Sequence, residues 1–201
     1  MKFFSRQQNR KKEKHHRGFS LIEMLVALAI FSTSVLVLLV VLGQSISDTG
    51  YAKKKNTAAY LAQEGIEYMR NLRDTYLLYS GTASAGWTAF NNNLTDASAC
   101  QLANGCFFDD RNVSFSDTSM PMLDLLLTAC TSSTCPNGAL LYDSAIGKYG
   151  YVSGTSSVFT RQIKITQPTA NETKVSSTVS WTQGSGTRSV TFSENLFKWI
   201  E

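Results

Sequence analysis

From Phe19 to Gly43 the chain runs for 25 residues with Glu23 as the one charged side chain among them. A helix rises about 1.5 Å per residue, and about 20 apolar residues cross a hydrocarbon core, so this run is long enough to span a bilayer once. Seven of the 19 basic residues, Lys2, Arg6, Arg10, Lys11, Lys12, Lys14 and Arg17, precede it, against a single acid, Glu13. An excess of Lys and Arg stays on the cytoplasmic side, so the chain beyond Gly43 is expected outside the cytoplasm. Without its first 18 residues the chain holds 12 basic and 14 acidic residues. That balance argues against a nucleic-acid partner.

A cleavable secretory signal has an apolar core of about 7 to 15 residues followed by a small-residue cleavage site. The run here is longer, and no such site follows. A carboxylate at membrane depth costs about 3 kcal/mol and calls for a partner. A cut between Gly18 and Phe19 would free an α-amine one helical turn from Glu23. Between parallel chains staggered along their axes, Glu23 of one chain can meet the amine of the next, so that the charge sets register.

The stretch GFSLIEMLVALAIF after a basic leader resembles the class III signal of type IV pilins and type II secretion pseudopilins. The resemblance implies that a membrane prepilin peptidase cuts after Gly18 and methylates the amine of Phe19, with Glu23 fifth in the mature chain. The leader, at 18 residues, is longer than the shortest in that family.

Helix formers dominate from Ser20 to about Tyr79, and no proline occurs before Pro121, so one long helix is expected, with weak points at Gly43 and Gly50. Within it Ala58, Ala62, Gly65, Met69, Leu72 and Tyr76 form one stripe at helical spacing. Glu64, Glu67, Arg70 and Arg73 are read as a solvated face. Lys53, Lys54 and Lys55 are read as a solvated run outside the membrane, with acidic lipid headgroups as the other reading.

Gly81 to Gly86 is expected to end the helix and to open a polar stretch reaching Gly154. A short helix from Met122 and a strand from Ala139 are its apolar pieces. The last part alternates: Phe159, Arg161, Ile163 and Ile165 share a face, as do Val175, Ser177, Val179 and Trp181, and RSVTFSENLF follows as a third strand. Turns are expected over Pro168 to Glu172 and Gly184 to Gly186. These strands predict an antiparallel meander with one face covered by the long helix.

The fold class is therefore α+β and pilin-like: a long N-terminal helix, its first half transmembrane, packed on a C-terminal antiparallel sheet. Five segments follow: a cleaved leader 1–18, a membrane and assembly half 19–43, an extracytoplasmic helical half 44–80, an irregular disulfide-braced region 81–154, and a meander 155–201. LAQEGIEYMRNLRD and VSWTQGSGTRSVTFSENLFKW further resemble minor pilins of the modification-protein-V type, which are similar to the I-type pseudopilin.

Cys100 and Cys106 bracket five residues, and Cys130 and Cys135 bracket four. All four cysteines lie in the translocated part, where disulfides Cys100–Cys106 and Cys130–Cys135 are expected. Four cysteines allow three connectivities, and a four-thiolate zinc site is the rival, with spacings wider than the usual knuckle. The only histidines, His15 and His16, lie in the leader. Asp109 with Asp110, and Asp117 with Asp124, lack a calcium-loop spacing. Trp87, Phe107 and Phe108 are read as buried anchors, a binding patch being the other reading. No enzyme, metal or cofactor is implied.

The function expected is a minor pilin, membrane-held and then assembled through its helix into a surface filament. Its expected partners are the prepilin peptidase, other pilins, membrane lipid and the pilus assembly platform. A pseudopilin of a type II secretion system and a tip-displayed adhesin using 81–154 are the alternatives.

Overall fold

The computed structural model describes residues 18, 20–97, 100–109, 125–131, 135 and 138–198. The chain divides into two compact units, with the break after Asp48. Helix α1 runs Leu21–Tyr79 and contributes to both.

In the first unit every described side chain is exposed. The hydroxyls of this apolar stretch are satisfied within the helix. Ser32 donates to the Leu28 carbonyl at 2.7 Å, Ser34 to Ile30 at 2.7 Å, and Ser45 to Val41 at 2.9 Å. Such back-bonding satisfies each hydroxyl within the helix, without recourse to water.

In the second unit α1 buries Ala58, Leu61, Ala62, Gly65, Ile66, Tyr68, Met69 and Leu72, following the stripe that helical periodicity predicts. It packs on the main sheet, built from β1 (Cys106–Phe107), β2 (Thr128–Ala129), β6 (Phe159–Thr169), β7 (Glu172–Gln183) and β8 (Gly186–Phe197) in the order β2-β1-β6-β7-β8. All neighbours are antiparallel. A second sheet orders β4 (Lys148–Gly150), β3 (Leu141–Asp143) and β5 (Thr155–Ser156).

The inner faces of β6 and β7 alternate as the sequence implies: Phe159, Arg161, Ile163, Ile165, Val175, Ser177, Val179 and Trp181 are buried. Gly65 is where helix and sheet come closest, since a Cβ there would collide with the Ser177 hydroxyl and lie 2.8 Å from Ile163 Cδ1. The turn expected over Pro168 to Glu172 falls at Ala170 and Asn171, and Pro168 itself is not part of it. It lies within β6 at a register shift between Thr166 and Thr169, a break in the ladder where its missing N–H costs nothing.

The stretch expected to be irregular holds a second helix, α2 (Ala83–Asn92), followed by a π-helical turn, Asn93–Ala97. Its start is set by Thr82, whose side chain accepts from the Ala85 N–H at 3.2 Å, a side-chain N-cap that satisfies an orphan donor. Gly86 permits the tight pass against α1, because a Cβ there would come within 2.5 Å of the Tyr76 carbonyl oxygen. Trp87, Phe90 and Leu94 then enter the core beside Met69 and Leu72. Most of the helix expected from Met122 lies outside the described residues. Leu125 to Leu127 precede β2 without forming a helix.

Candidate processing and assembly segment

α1 begins where the apolar run begins. The Ser20 carbonyl accepts from the Glu23 N–H at 3.0 Å and from the Met24 N–H at 3.2 Å, so Ser20 stands at the cap and Glu23 in the first turn. There its carboxylate sits near the positive end of the helix dipole, which favours an anion. Large apolar side chains surround it without cover: Leu21 is 78% exposed and Phe31 66%. A continuous exposed apolar surface of this kind calls for lipid or other helices.

Gly18 is exposed, with no atom within 4 Å of where a Cβ would stand. Phe19 lies outside the described residues, as do His15, His16, Asp110, Asp117 and Asp124. Lys53 and Lys55 are exposed and Lys54 is half-buried.

The structure joins Cys100 to Cys106 and Cys130 to Cys135, with Cα atoms 4.7 and 4.8 Å apart. No cysteine is left free. Both bridges are tied to the sheet: the Cys100 carbonyl accepts from Ile165 N–H at 3.1 Å, and Cys130 N–H donates to Gly105 at 2.9 Å. Among the described residues no group of three or more His, Cys, Asp or Glu is placed to hold a metal. Trp87 and Phe108 are buried, Trp87 donating its indole N–H to the Ala170 carbonyl at 2.8 Å.

The charged face of α1 is not simply solvated. Arg161, fully buried on β6, donates from Nη1 to Glu64 Oε2 at 2.6 Å. Its guanidinium lies 3.9 Å over the Phe108 ring, and that ring stacks on Tyr68 at 3.8 Å. A buried cation persists only when paired. The signal was present in the strand pattern, because Arg161 falls between Phe159 and Ile163 on the inner face and Glu64 adjoins Gly65 in the stripe.

Arg70 likewise leaves the solvated class, held by Glu194 on β8 at 2.6 Å and by Glu67 at 2.7 Å. The hydrogen bond to Glu194 raises the Arg70 pKa against the opposing effect of burial. Tyr151 packs near Arg161 with its hydroxyl buried and without a hydrogen-bond partner among the described residues. Burial raises its phenol pKa, with the Arg161 charge pulling the other way.

A family model of the prokaryotic N-terminal methylation motif matches residues 14–42. It supports a pilin-like precursor at this end of the chain. No curated protein matches the sequence, and no solved structure matches it.

Proposed function

We propose that the chain is a minor pilin, a structural rather than catalytic subunit. A prepilin peptidase removes residues 1–18 and methylates Phe19. The mature chain rests in the membrane through residues 19–43 with the rest outside the cytoplasm, and the assembly platform draws it into a type IV pilus or its tip. The observation that carries this reading is the methylation motif, with Glu23 in the first turn of a helix whose apolar surface is uncovered. Apolar packing among parallel helices supplies the assembly force, and a Glu23 carboxylate paired with the Phe19 amine of a neighbour sets the stagger. Disulfides Cys100–Cys106 and Cys130–Cys135 brace the 81–154 segment against the meander.

The test is Glu23→Ala. Cleavage after Gly18 should proceed, while the amount of chain recovered in sheared filaments should fall by at least about tenfold, the loss of a charge pair at membrane depth being a few kcal/mol. Normal incorporation of this variant would remove the register role.

A further inference from the structure

β8 ends the main sheet, and its twelve residues pair with β7 in unbroken register. Among the described residues nothing pairs with its other edge. The two-residue loop at Gly184 and Ser185 is closed by Gln183 and Gly186, which in so short a loop form a narrow, hydrogen-bonded pair, and narrow pairs recur at every second residue. Arg188, Val190, Phe192, Glu194 and Leu196 therefore spend their backbone groups on β7. Thr187, Ser189, Thr191, Ser193 and Asn195 turn theirs to the free edge. The hydroxyl contacts Ser176 to Ser193 and Thr178 to Thr191, both 2.8 Å, are those expected of wide pairs, where side chains approach most closely.

Of the devices that usually blunt an edge this one has only its charges, Arg188 and Glu194. It has no proline and no lysine, no break in register against β7, and a phenylalanine, Phe192, that is 41% exposed. Among the described residues Arg188 has no ion-pair partner, and Glu194, which already holds Arg70 at 2.6 Å, projects from the same face with room for a second cation.

We propose that β8 pairs with β8 of a second copy, antiparallel and centred on Thr191. In that register Arg188 stands opposite Glu194 of the second copy and Val190 opposite Phe192, each contact occurring twice about the two-fold axis, and Thr191 meets its own counterpart once, on the axis. The outward backbone groups meet as narrow pairs, Thr187 with Asn195 and Ser189 with Ser193, so the hydrogen-bond parity is correct. Moving the centre to Val190 sets Arg188 against Phe192 and Glu194 against Gly186. Moving it to Phe192 sets Arg188 against Leu196 and Glu194 against Val190. Only the Thr191 register matches charge to charge and apolar to apolar.

The two-fold axis also fixes the direction of approach. Ala58 to Ala62 cluster with Phe159, Val179 and Trp181, and Ile66 to Leu72 with Ile165, Val175 and Leu196, so α1 beyond Thr49 runs in the direction of β8. The axis reverses that direction in the second copy, so the pairing suits copies that meet with opposed helices rather than neighbours sharing one helix direction.

The test uses the full chain in detergent with single cysteines, oxidised mildly and run on a non-reducing gel, with mass spectrometry confirming that the native disulfides are intact. A narrow pair holds its Cα atoms about 5.5 Å apart, within disulfide reach. Thr191→Cys should cross-link to itself. Thr187→Cys and Asn195→Cys should each fail alone and cross-link when mixed. Adding Arg188→Glu to Thr191→Cys should lower the yield about fivefold. Absence of a Thr191→Cys dimer, self-linking by Thr187→Cys or Asn195→Cys at a comparable yield, or insensitivity to Arg188→Glu would overturn the pairing.

Discussion

Glu64→Ala removes the carboxylate paired with a guanidinium that has almost no contact with solvent, the Arg161 side chain being 1% exposed and that of Glu64 35%. Taking one partner from a fully buried pair costs about 3 to 5 kcal/mol, because the remaining charge is left uncompensated. Glu64 lies partly in water, so solvent can enter where its carboxylate was, and the expected loss falls to about 2 to 3 kcal/mol. The Phe108 ring and the Phe108 carbonyl, 3.4 Å from Arg161 Nη2, remain in place but bring no countercharge. For a domain of this size each kcal/mol moves Tm by about 2 to 4 °C, so thermal unfolding of the purified chain followed by tryptophan fluorescence should show a drop of about 5 to 10 °C. The double variant Glu64→Leu with Arg161→Met should lie within about 1 kcal/mol of the parent, since an apolar replacement removes both the charge and its desolvation. A cost below about 0.5 kcal/mol for Glu64→Ala, or a double variant no more stable than Glu64→Ala alone, would mean that the buried guanidinium does not depend on its carboxylate.

Two further substitutions probe the helix–sheet seam and the buried phenol. Gly65→Ala gains about 1 kcal/mol of helix propensity but drives a methyl into Ser177 and Ile163, an overpacking worth about 1 to 3 kcal/mol, so a net loss near 1 kcal/mol is expected in urea unfolding. Ser177→Ala, which deletes a buried hydroxyl that has no hydrogen-bond partner among the described residues, should recover part of that loss in the double variant. The raised Tyr151 pKa means that the fold favours the neutral phenol: its contribution is intact below the ordinary tyrosine pKa of about 10 and is lost as pH rises through the folded value. Tyr151→Phe should therefore cost less than about 0.5 kcal/mol at pH 7 and reduce the alkaline fall in Tm above pH 10, which melts across that range would check.

The long helix and the meander were legible because each repeats one period over many residues: the stripe from Ala58 to Leu72 steps by three and four, and β6 and β7 alternate by two. The helix α2 was hidden by its composition. Gly81, Ser84 and Gly86 read as a breaker, yet Thr82 caps the helix and Gly86 serves a close pass against the Tyr76 carbonyl. The turn between β6 and β7 was legible, but that Pro168 stays in the strand was not, because only pairing partners reveal the register shift that accommodates it. The Glu64 to Arg161 pair joins residues 97 apart in sequence, and periodicity within one element carries no information about what faces it across the core. At the N-terminal segment the basic leader, Gly18, Phe19, Glu23 and the apolar run all lie within one short stretch, so the motif is local and could be read directly.

Whether the chain is a class III precursor is decided by the mass and N-terminal sequence of membrane-extracted protein from cells with and without prepilin peptidase. A chain beginning at methylated Phe19 only when the peptidase is present is the predicted result. A leader retained from Met1 in both strains would contradict it, and Glu23 would then be a charge in a membrane anchor without an assigned partner.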